Sequence, residues 1–171
     1  VERLFKQVKP QQKIIDAMTR PAEGLPWYKY RPIFLKEARI KGGVKFWKEN
    51  AALLAKVEAT YGVPPEIIVA IIGVETRYGQ YTGKHRVIDA VATLGFDYPK
   101  RGAFFTSELE QFLLLAREEG LDPLGIYGSY AGAMGMPQFI SSSYRNYAVD
   151  FNGNGKRDLF NEKADIIGSV A

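Results

Sequence analysis

The sequence predicts a mainly helical protein of the α+β class, with little or no sheet. Three observations favour this class. Apolar residues recur at helical spacing in several long segments, prolines and glycines stand where helices begin and end, and strands do not alternate with helices as a parallel sheet requires. With 171 residues, 46% of them hydrophobic, the chain is long enough for one sizeable core and a small second lobe.

The first 42 residues are predicted to form an N-terminal lobe of short helices and irregular chain. Residues 2–18 carry a weakly amphipathic pattern that favours one or two short helices. The segment after them is expected to be irregular because prolines and a glycine interrupt it. These residues are Pro21, Gly24, Pro26 and Pro32.

Residues 43–147 are predicted to form the core, which begins with two helices. Helical spacing predicts one helix over 43–61, and Gly62 stands where a left-handed cap closes a helix. Pro64-Pro65-Glu66 then favours a new helix start, with proline in the first turn and an acid near the positive end. We expect this second helix to end by Tyr78-Gly79.

The rest of the core is predicted to contain three more helices. Two are expected over 86–94 and 101–119, followed by a loop or short strands at 125–135, where four glycines occur. A third helix is expected from Pro137 to about Tyr147. Residues 148–171 are then predicted to hold a polar loop and the start of a C-terminal helix at Glu162.

The composition excludes several functional classes. Zero cysteines exclude disulfides, thiolate catalysis and Cys-ligated zinc, and the single histidine, His85, argues against a His-dependent hydrolase. The net charge of +4 suits an anionic polymer such as peptidoglycan or nucleic acid, although a solvated surface is the commoner explanation. No basic run is interleaved with aromatic residues as in a nucleic-acid module. The chain opens with Val1 and shows no signal-peptide pattern, so we expect a processed or trimmed product.

Glu75 is the first candidate for chemistry. It follows the apolar run from Ile67 to Val74, and in a helix it shares a face with Ile68, Ile71 and Ile72, so we expect it to be buried. Burial and a position near the helix C-terminus both raise the pKa of a carboxyl, which keeps a general acid protonated. The alternative is a buried glutamate satisfied by an arginine or by backbone donors.

The segment from Gly128 to Phe139 is the second candidate. Its closely spaced glycines let the backbone approach a ligand, and Ser129 and Gln138 offer groups that hydrogen-bond an N-acetyl group or a sugar hydroxyl. The alternative is a tight packing turn.

The third candidate is the segment Asp150–Asp158. It matches the first half of an EF-hand-like calcium loop, with oxygen ligands at positions one, three and five, glycine at six and a carbonyl at seven. Position twelve is Asn161 instead of the usual glutamate, and an acid follows a little later, at Glu162 or Asp165. Because asparagine at two ligand positions lowers the negative charge of the site, we expect weak affinity. The alternative is an Asn-Gly-rich turn without an ion.

The chain resembles the B-type lytic murein transglycosylases in three motifs. These are Glu75-Thr76-Arg77-Tyr78-Gly79, the Gly-Ala-Met-Gly…Gln-Phe segment and the calcium-like loop, in this order. The resemblance runs from about Pro26 to Ala171. It implies a lysozyme-like helical core, a periplasmic location in the bacterial cell envelope, and cleavage of the β-1,4 bond between MurNAc and GlcNAc in peptidoglycan. It also implies a monomer that binds glycan strands, binds no nucleic acid, and meets a membrane only through a lipid anchor outside this chain.

The resemblance further implies roles for individual residues. Glu75 is the single catalytic acid/base. The residues contacting substrate are Tyr30, Ser129, Tyr130, Met134 and Gln138. A structural Ca²⁺, with no cofactor for catalysis, is held by Asp150, Asn152, Asn154, the Lys156 carbonyl and Asp165. The chain departs from the family at Met136 and Ser141, where an aromatic residue and proline are familiar, and in asparagines where the metal loop usually carries acids. A final family segment with further groove tyrosines is missing after Ala171, so we expect an incomplete cleft.

A single acid is sufficient if the substrate's own acetamido group assists. Asp89 and Asp97 are the candidates for a second acid, but each is better explained as a local anchor. The predicted reaction is non-hydrolytic and forms 1,6-anhydro-MurNAc. Two alternatives stay open: a goose-type lysozyme that hydrolyses the same bond, and a non-catalytic peptidoglycan-binding or calcium-regulated module.

Overall fold

The computed structural model describes residues 2–19 and 24–171, and helices dominate them. The first half of the chain contains α1 to α6. Their bounds are Glu2–Phe5, Gln12–Thr19, Trp27–Phe34, Glu37–Glu49, Ala51–Tyr61 and Pro65–Thr76. The second half contains α7 to α10, at Val87–Asp97, Gly102–Glu118, Ser141–Tyr147 and Lys163–Val170, and a short 3-10 helix at Pro99–Arg101.

The sheet is minimal, as predicted. Strands β1 (His85–Arg86) and β2 (Tyr127–Gly128) pair antiparallel, with His85 opposite Gly128 and Arg86 opposite Tyr127. Two isolated bridges extend the pairing, from Gly128 to Met134 and from Met134 to Phe139. The predicted mainly helical class with little sheet is therefore confirmed.

The chain divides into two compact units, each built from segments distant in sequence. The first contains Val1–Pro21, Thr82–Met134 and Gln138–Tyr147, and the second contains Ala22–Tyr81, Gly135–Pro137 and Ala148–Ala171.

The first unit is built around α7. Its residues from Val87 to Leu94 are all buried, and α2 and α8 pack against it. One apolar cluster in this unit joins Ile14, Ala90, Leu94 and Phe105.

The second unit packs α4, α5, α6 and α10 around one apolar cluster. The cluster contains Phe46, Leu54, Val57, Ile68, Val69, Ile72, Met136, Ile166 and Ile167. Pro65 lies at the first position of α6 and Gly62 closes α5 with φ of 73°, so both local signals are confirmed.

Three predicted elements differ from the structure. The single helix over 43–61 is wrong: it is two helices, because the amide N–H and side chain of Asn50 both donate to the Phe46 carbonyl and end α4. Irregular chain around Pro26 and Pro32 is also wrong, since Trp27, Tyr30 and Phe34 stack along α3. Pro21 lies outside the described residues.

The helix predicted from Pro137 begins only at Ser141. Gln138 has a φ of 55°, so the chain makes a tight turn before α9 instead of entering it. Among the described helices none is by itself long and apolar enough to cross a bilayer, and α5 and α6 reach that length only as a pair bent by 113°.

Candidate active site

Glu75 is the penultimate residue of α6 and lies on its exposed side. The buried face of this helix contains Ile68, Val69, Ile72, Gly73 and Thr76. Glu75 is exposed, so the prediction that the protein core buries its carboxylate is wrong. Ile71, one turn before Glu75, is also 39% exposed. The buried face of α6 therefore differs from the face that apolar spacing predicted.

An exposed apolar strip on α6 leads up to Glu75. Ile67, Ile71 and Val74 are 49%, 39% and 46% exposed. With Glu75 they occupy positions i, i+4, i+7 and i+8, which is one face of a helix. The carboxylate therefore stands at the C-terminal end of an apolar surface that a ligand can cover.

A strained turn follows the acid directly. Arg77, Tyr78 and Gly79 have φ angles of 49°, 62° and 88°, and two consecutive residues with side chains in the left-handed region are unusual. The Tyr78 amide donates to the Ile72 carbonyl. Thr76 Oγ1 accepts from the Gly79 amide at 3.0 Å and donates to the Met136 carbonyl at 2.8 Å. These bonds hold the end of α6 in one conformation.

The Tyr78 ring is held between α4 and α6 by three glycines. A methyl group added at Gly42 would lie 3.0 Å from Tyr78 Cε2, and one at Gly43 would lie 2.6 Å from the hydroxyl. On the opposite side, a methyl group at Gly73 would overlap the hydroxyl and lie 2.7 Å from Cζ. Burial raises the pKa of the Tyr78 phenol, while nearby Arg39 lowers it. Sequence reasoning missed this contact, although Gly42-Gly43 was a visible signal for close helix packing.

Aromatic side chains cover one side of α3. The predicted substrate residue Tyr30 is half-buried, with its ring 4.9 Å from that of Phe34 and 6.4 Å from that of Trp27. Trp27 and Tyr28 are 69% and 71% exposed. These two flat surfaces, which suit stacking on sugars, were missed because the segment was expected to be irregular.

The loop of residues 129–133 lies in the first unit, and the Ser129 hydroxyl holds it in shape. Ser129 Oγ accepts from the amides of Ala131 and Ala133 at 3.2 and 3.0 Å. Gln138 Nε2 donates to the Thr82 carbonyl at 3.1 Å. Ser129 and Gln138 are thus anchored by the bridges that run through Met134, and Tyr130 beside them is half-buried.

Met134 does not fit its predicted role. Its side chain is completely buried, and its backbone exchanges two hydrogen bonds with Phe139 at 2.8 and 3.0 Å. The side chain therefore offers no surface to a substrate in this structure. Its position at the centre of two bridges makes it part of the support for the loop.

The candidate calcium loop closes on itself. The Asp150 carboxylate accepts from the amides of Gly153, Asn154 and Gly155 at 2.7–3.0 Å. Asn152 and Asn154 each accept from the amide two residues later.

Asp165 ties the ends of this loop together. It is completely buried, and its two oxygens accept from the Phe151 and Asp158 amides, both at 2.9 Å. No group of three or more His, Asp or Glu side chains within 2–19 and 24–171 is arranged to hold an ion. The predicted donors fit calcium in kind, because all are hard oxygens, but the set carries only two carboxylates.

The two candidate second acids have different surroundings. Asp89 is buried and accepts from Arg86 Nε at 2.8 Å, Arg86 Nη2 at 2.9 Å and the Lys9 amide at 2.9 Å. Asp97 ends α7 and is exposed. Asp89 is therefore a local anchor, as expected.

The predicted residues are divided between the two units. Tyr30, Glu75 and the calcium loop belong to the second, and Ser129, Tyr130, Met134 and Gln138 belong to the first. Within the second unit, Thr76 links the end of α6 to the Met136 carbonyl, so the motif around Glu75 and the segment after Met134 meet there.

Comparison with known proteins shows which proteins this chain is similar to. The transglycosylase SLT domain family profile matches residues 1–171. Over 145 residues the chain is 53% identical to the membrane-bound lytic murein transglycosylase B of Escherichia coli (strain K12), a match covering 85% of the chain and 40% of that protein.

Two solved structures are similar over nearly the whole chain. The crystal structure of the soluble lytic transglycosylase SltB1 from Pseudomonas aeruginosa matches with a TM-score of 0.94 at 57% identity, over 99% of this chain and 57% of that one. Escherichia coli Slt35 in complex with calcium matches with a TM-score of 0.91 at 47% identity, over 98% and 54% respectively. The chain thus spans little more than half the length of these solved relatives.

Proposed function

The chain belongs to the transglycosylase SLT domain family, and from this premise we propose that it supplies the catalytic part of a lytic transglycosylase. The family resemblance predicted from three motifs is confirmed by that match and by the similarity to SltB1. We propose that the enzyme cleaves the β-1,4 bond between MurNAc and GlcNAc in peptidoglycan. The substrate places its action in the bacterial cell envelope.

One observation carries the proposal: a carboxylate at the end of an exposed apolar strip, followed by a strained turn. Strained backbone persists only where the surroundings over-determine it, and such sites are often functional. The strip of Ile67, Ile71 and Val74 is open in this structure. A sugar lying over the strip excludes water from the carboxylate, and electrostatic interactions strengthen once water is excluded. Dehydration by substrate thus replaces the predicted burial in the core.

In the proposed reaction Glu75 first donates its proton to the glycosidic oxygen while the C1–O bond breaks. The 2-acetamido oxygen of MurNAc stabilises the positive charge that develops at C1. The Glu75 carboxylate then takes the proton of the C6 hydroxyl, and that oxygen bonds to C1. The product is 1,6-anhydro-MurNAc, and no water is consumed. An intramolecular nucleophile is favoured by its high effective molarity.

Ser129 and Gln138 are proposed to bind the sugar or its N-acetyl group, as the family resemblance implies. The Ser129 hydroxyl accepts two backbone hydrogen bonds, so its own proton is oriented for donation. We propose stacking roles for Tyr30 and for exposed Trp27 on α3, because flat aromatic faces pack against pyranose rings.

The test is digestion of purified murein by wild type and by Glu75→Gln. The variant keeps the size of the side chain but removes the acid, and loss of a general acid lowers kcat by roughly 10²–10⁴-fold. Glu66→Gln is the matched control, since Glu66 is an exposed acid in the first turn of the same helix. Near-native activity of Glu75→Gln at native stability contradicts the assignment.

Mass spectrometry of the products separates the alternatives. Anhydro ends, lighter by one water than hydrolysed ends, indicate a transglycosylase. Hydrolysed ends indicate a goose-type lysozyme, and binding of murein without any cleavage by wild type indicates a non-catalytic module.

We propose in addition that the Asp150 loop binds Ca²⁺ weakly as a structural ion. Support comes from the oxygen donors of Asp150, Asn152, Asn154, Lys156 and Asp165 and from the calcium complex of Slt35. The ion would add rigidity to a loop that its own amides already close. Calorimetric titration with CaCl₂, compared between wild type and Asp150→Asn, tests this; equal heats for the two proteins contradict it.

A further inference from the structure

Three basic side chains of the second unit line one cavity of about 160 Å³. They are Lys36, Arg39 and Arg77, and the rest of the lining is Ala38, Gly42, Tyr78 and Gln80. No acid lines this cavity, and none of the three bases has an ionic partner among the residues that the structure describes. The nearest acid in sequence, Glu37, is paired with Lys41 at 2.7 Å. The volume is several times the roughly 30 Å³ of a water molecule, so it admits a carboxylate group.

Arg39 is partly buried. Its guanidinium lies 5.0 Å from the Phe34 ring centroid, and its Nη1 is buried with no hydrogen-bond acceptor in the described part of the chain. A buried donor without an acceptor is destabilising. Desolvation and the proximity of Arg77 lower the pKa of Arg39, while Tyr78 raises it. An anion in the cavity would relieve both the missing acceptor and the repulsion between the two arginines.

The other two bases, Arg77 and Lys36, each lie at the end of a helix. Arg77 is the left-handed residue that caps α6, and its guanidinium lies 4.8 Å from the Tyr81 ring centroid. Lys36 directly precedes the 13-residue α4 and provides no side-chain cap. The free amides at the start of that helix therefore add positive potential near the cavity.

We infer that this cavity binds a carboxylate of the stem peptide carried by the lactyl group of MurNAc, an inference that rests on the proposed function. Arg77 is two residues beyond Glu75, so the cavity lies close in sequence to the proposed acid. An extended peptide spans about 3.3–3.6 Å per residue. Because Glu75 and Arg77 are only two positions apart in the chain, their Cα atoms are at most about 7 Å from each other, and a stem of a few residues spans more than that.

The experiment compares cleavage of two glycan substrates: strands that carry tetrapeptide stems and strands stripped of stems by an amidase. Arg39→Gln should raise KM for stem-bearing strands by about tenfold, the equivalent of 1.4 kcal/mol. Lys36→Gln should raise it several-fold. In both variants kcat, and KM for stripped strands, should stay unchanged. Lys48→Gln is the matched control, because it removes one exposed charge from the other end of α4.

The inference is overturned if both substrates lose affinity equally, or if Lys48→Gln has the same effect. If thermal melting shows that Arg39→Gln does not fold, the same comparison is made with Lys36→Gln, because Lys36 is exposed and its replacement leaves the core unchanged.

A binding measurement, which requires no cleavage, tests this inference separately from the proposed function. Calorimetry compares wild-type binding of a disaccharide-tetrapeptide with its carboxyl-amidated form, with inorganic phosphate as competitor. Tighter binding of the free acid, with the preference reduced several-fold in Lys36→Gln, supports the inference even if no strand is cleaved. Equal binding of the free acid and the amidated form overturns it. So does a result in which phosphate binds but does not compete with the free acid, which shows that the cavity holds an adventitious ion only. Failure of wild type to cleave either strand overturns the proposed function alone.

Discussion

Replacing Gly73 by alanine should destabilise the protein, although alanine is the better helix former. In an open helix the change would stabilise by about 0.8–1.0 kcal/mol. Here the new methyl group lies 2.7 Å from Tyr78 Cζ and 3.0 Å from Cε1. The ring has no room to retreat, because a methyl position at Gly43 on the opposite side is 2.6 Å from the same hydroxyl. Overpacking typically costs about 1–3 kcal/mol. Because the ring is confined on both sides, we take the upper part of this range, about 2–3 kcal/mol. After subtraction of the gain in helix propensity, we expect a net loss of roughly 1–2 kcal/mol.

Guanidinium denaturation followed by circular dichroism measures the effect as a lower midpoint at unchanged slope. Gly42→Ala provides a graded comparison, since its methyl group meets only the ring edge at 3.0–3.1 Å, and should cost less. In a Tyr78→Ala background, Gly73→Ala should reverse sign and become stabilising. A Gly73→Ala protein as stable as wild type, with Tyr78 in place, would refute the reasoning that the ring is held between the two helices.

Three further predictions concern the first unit. Ser141→Ala should stabilise by about 1 kcal/mol, because the buried Ser141 hydroxyl has no partner among the described residues and removing such a group relieves its desolvation; an unchanged or lower melting temperature argues against this. Burial, together with Lys13 and Lys84, lowers the pKa of His85 below 6.5. The unfolded chain then binds more protons, so stability should fall as pH drops from about 7.5 to about 5.5, and this slope should vanish in His85→Gln. Asp89→Ala should cost about 3 kcal/mol, since it removes a buried carboxylate and leaves half-buried Arg86 without its ionic partner; a loss under about 1 kcal/mol in urea unfolding would show that the ion pair is not an anchor.

Local signals predicted much of the fold correctly. Pro65 begins α6 and Gly62 ends α5, since proline and glycine act through their own backbone angles. The boundary at Asn50 was missed because the apolar spacing continues across it. Only the capping bonds of that residue, which compete with the helix, separate α4 from α5.

The candidate site was predicted in part. The motifs identified the family from the order of Glu75, the glycine-rich segment and the Asp150 loop, and that assignment is confirmed. The surroundings of individual residues were less predictable. Glu75 was expected to be buried and is exposed, and Met134 was expected at the substrate and is buried. Periodicity shows which residues share a helix face, but neighbouring elements decide which face they cover.

The sequence by itself thus determined the helical class, the positions of helix starts and caps, and the family, because each depends on residues within one short segment. The tertiary structure alone decided that Tyr78 lies between α4 and α6, that Arg39 and Arg77 share a cavity, and that Asp165 holds both ends of the Asp150 loop. These contacts join residues separated by up to 38 positions along the chain. Which of them form depends on the packing of whole helices, and no local pattern encodes that packing.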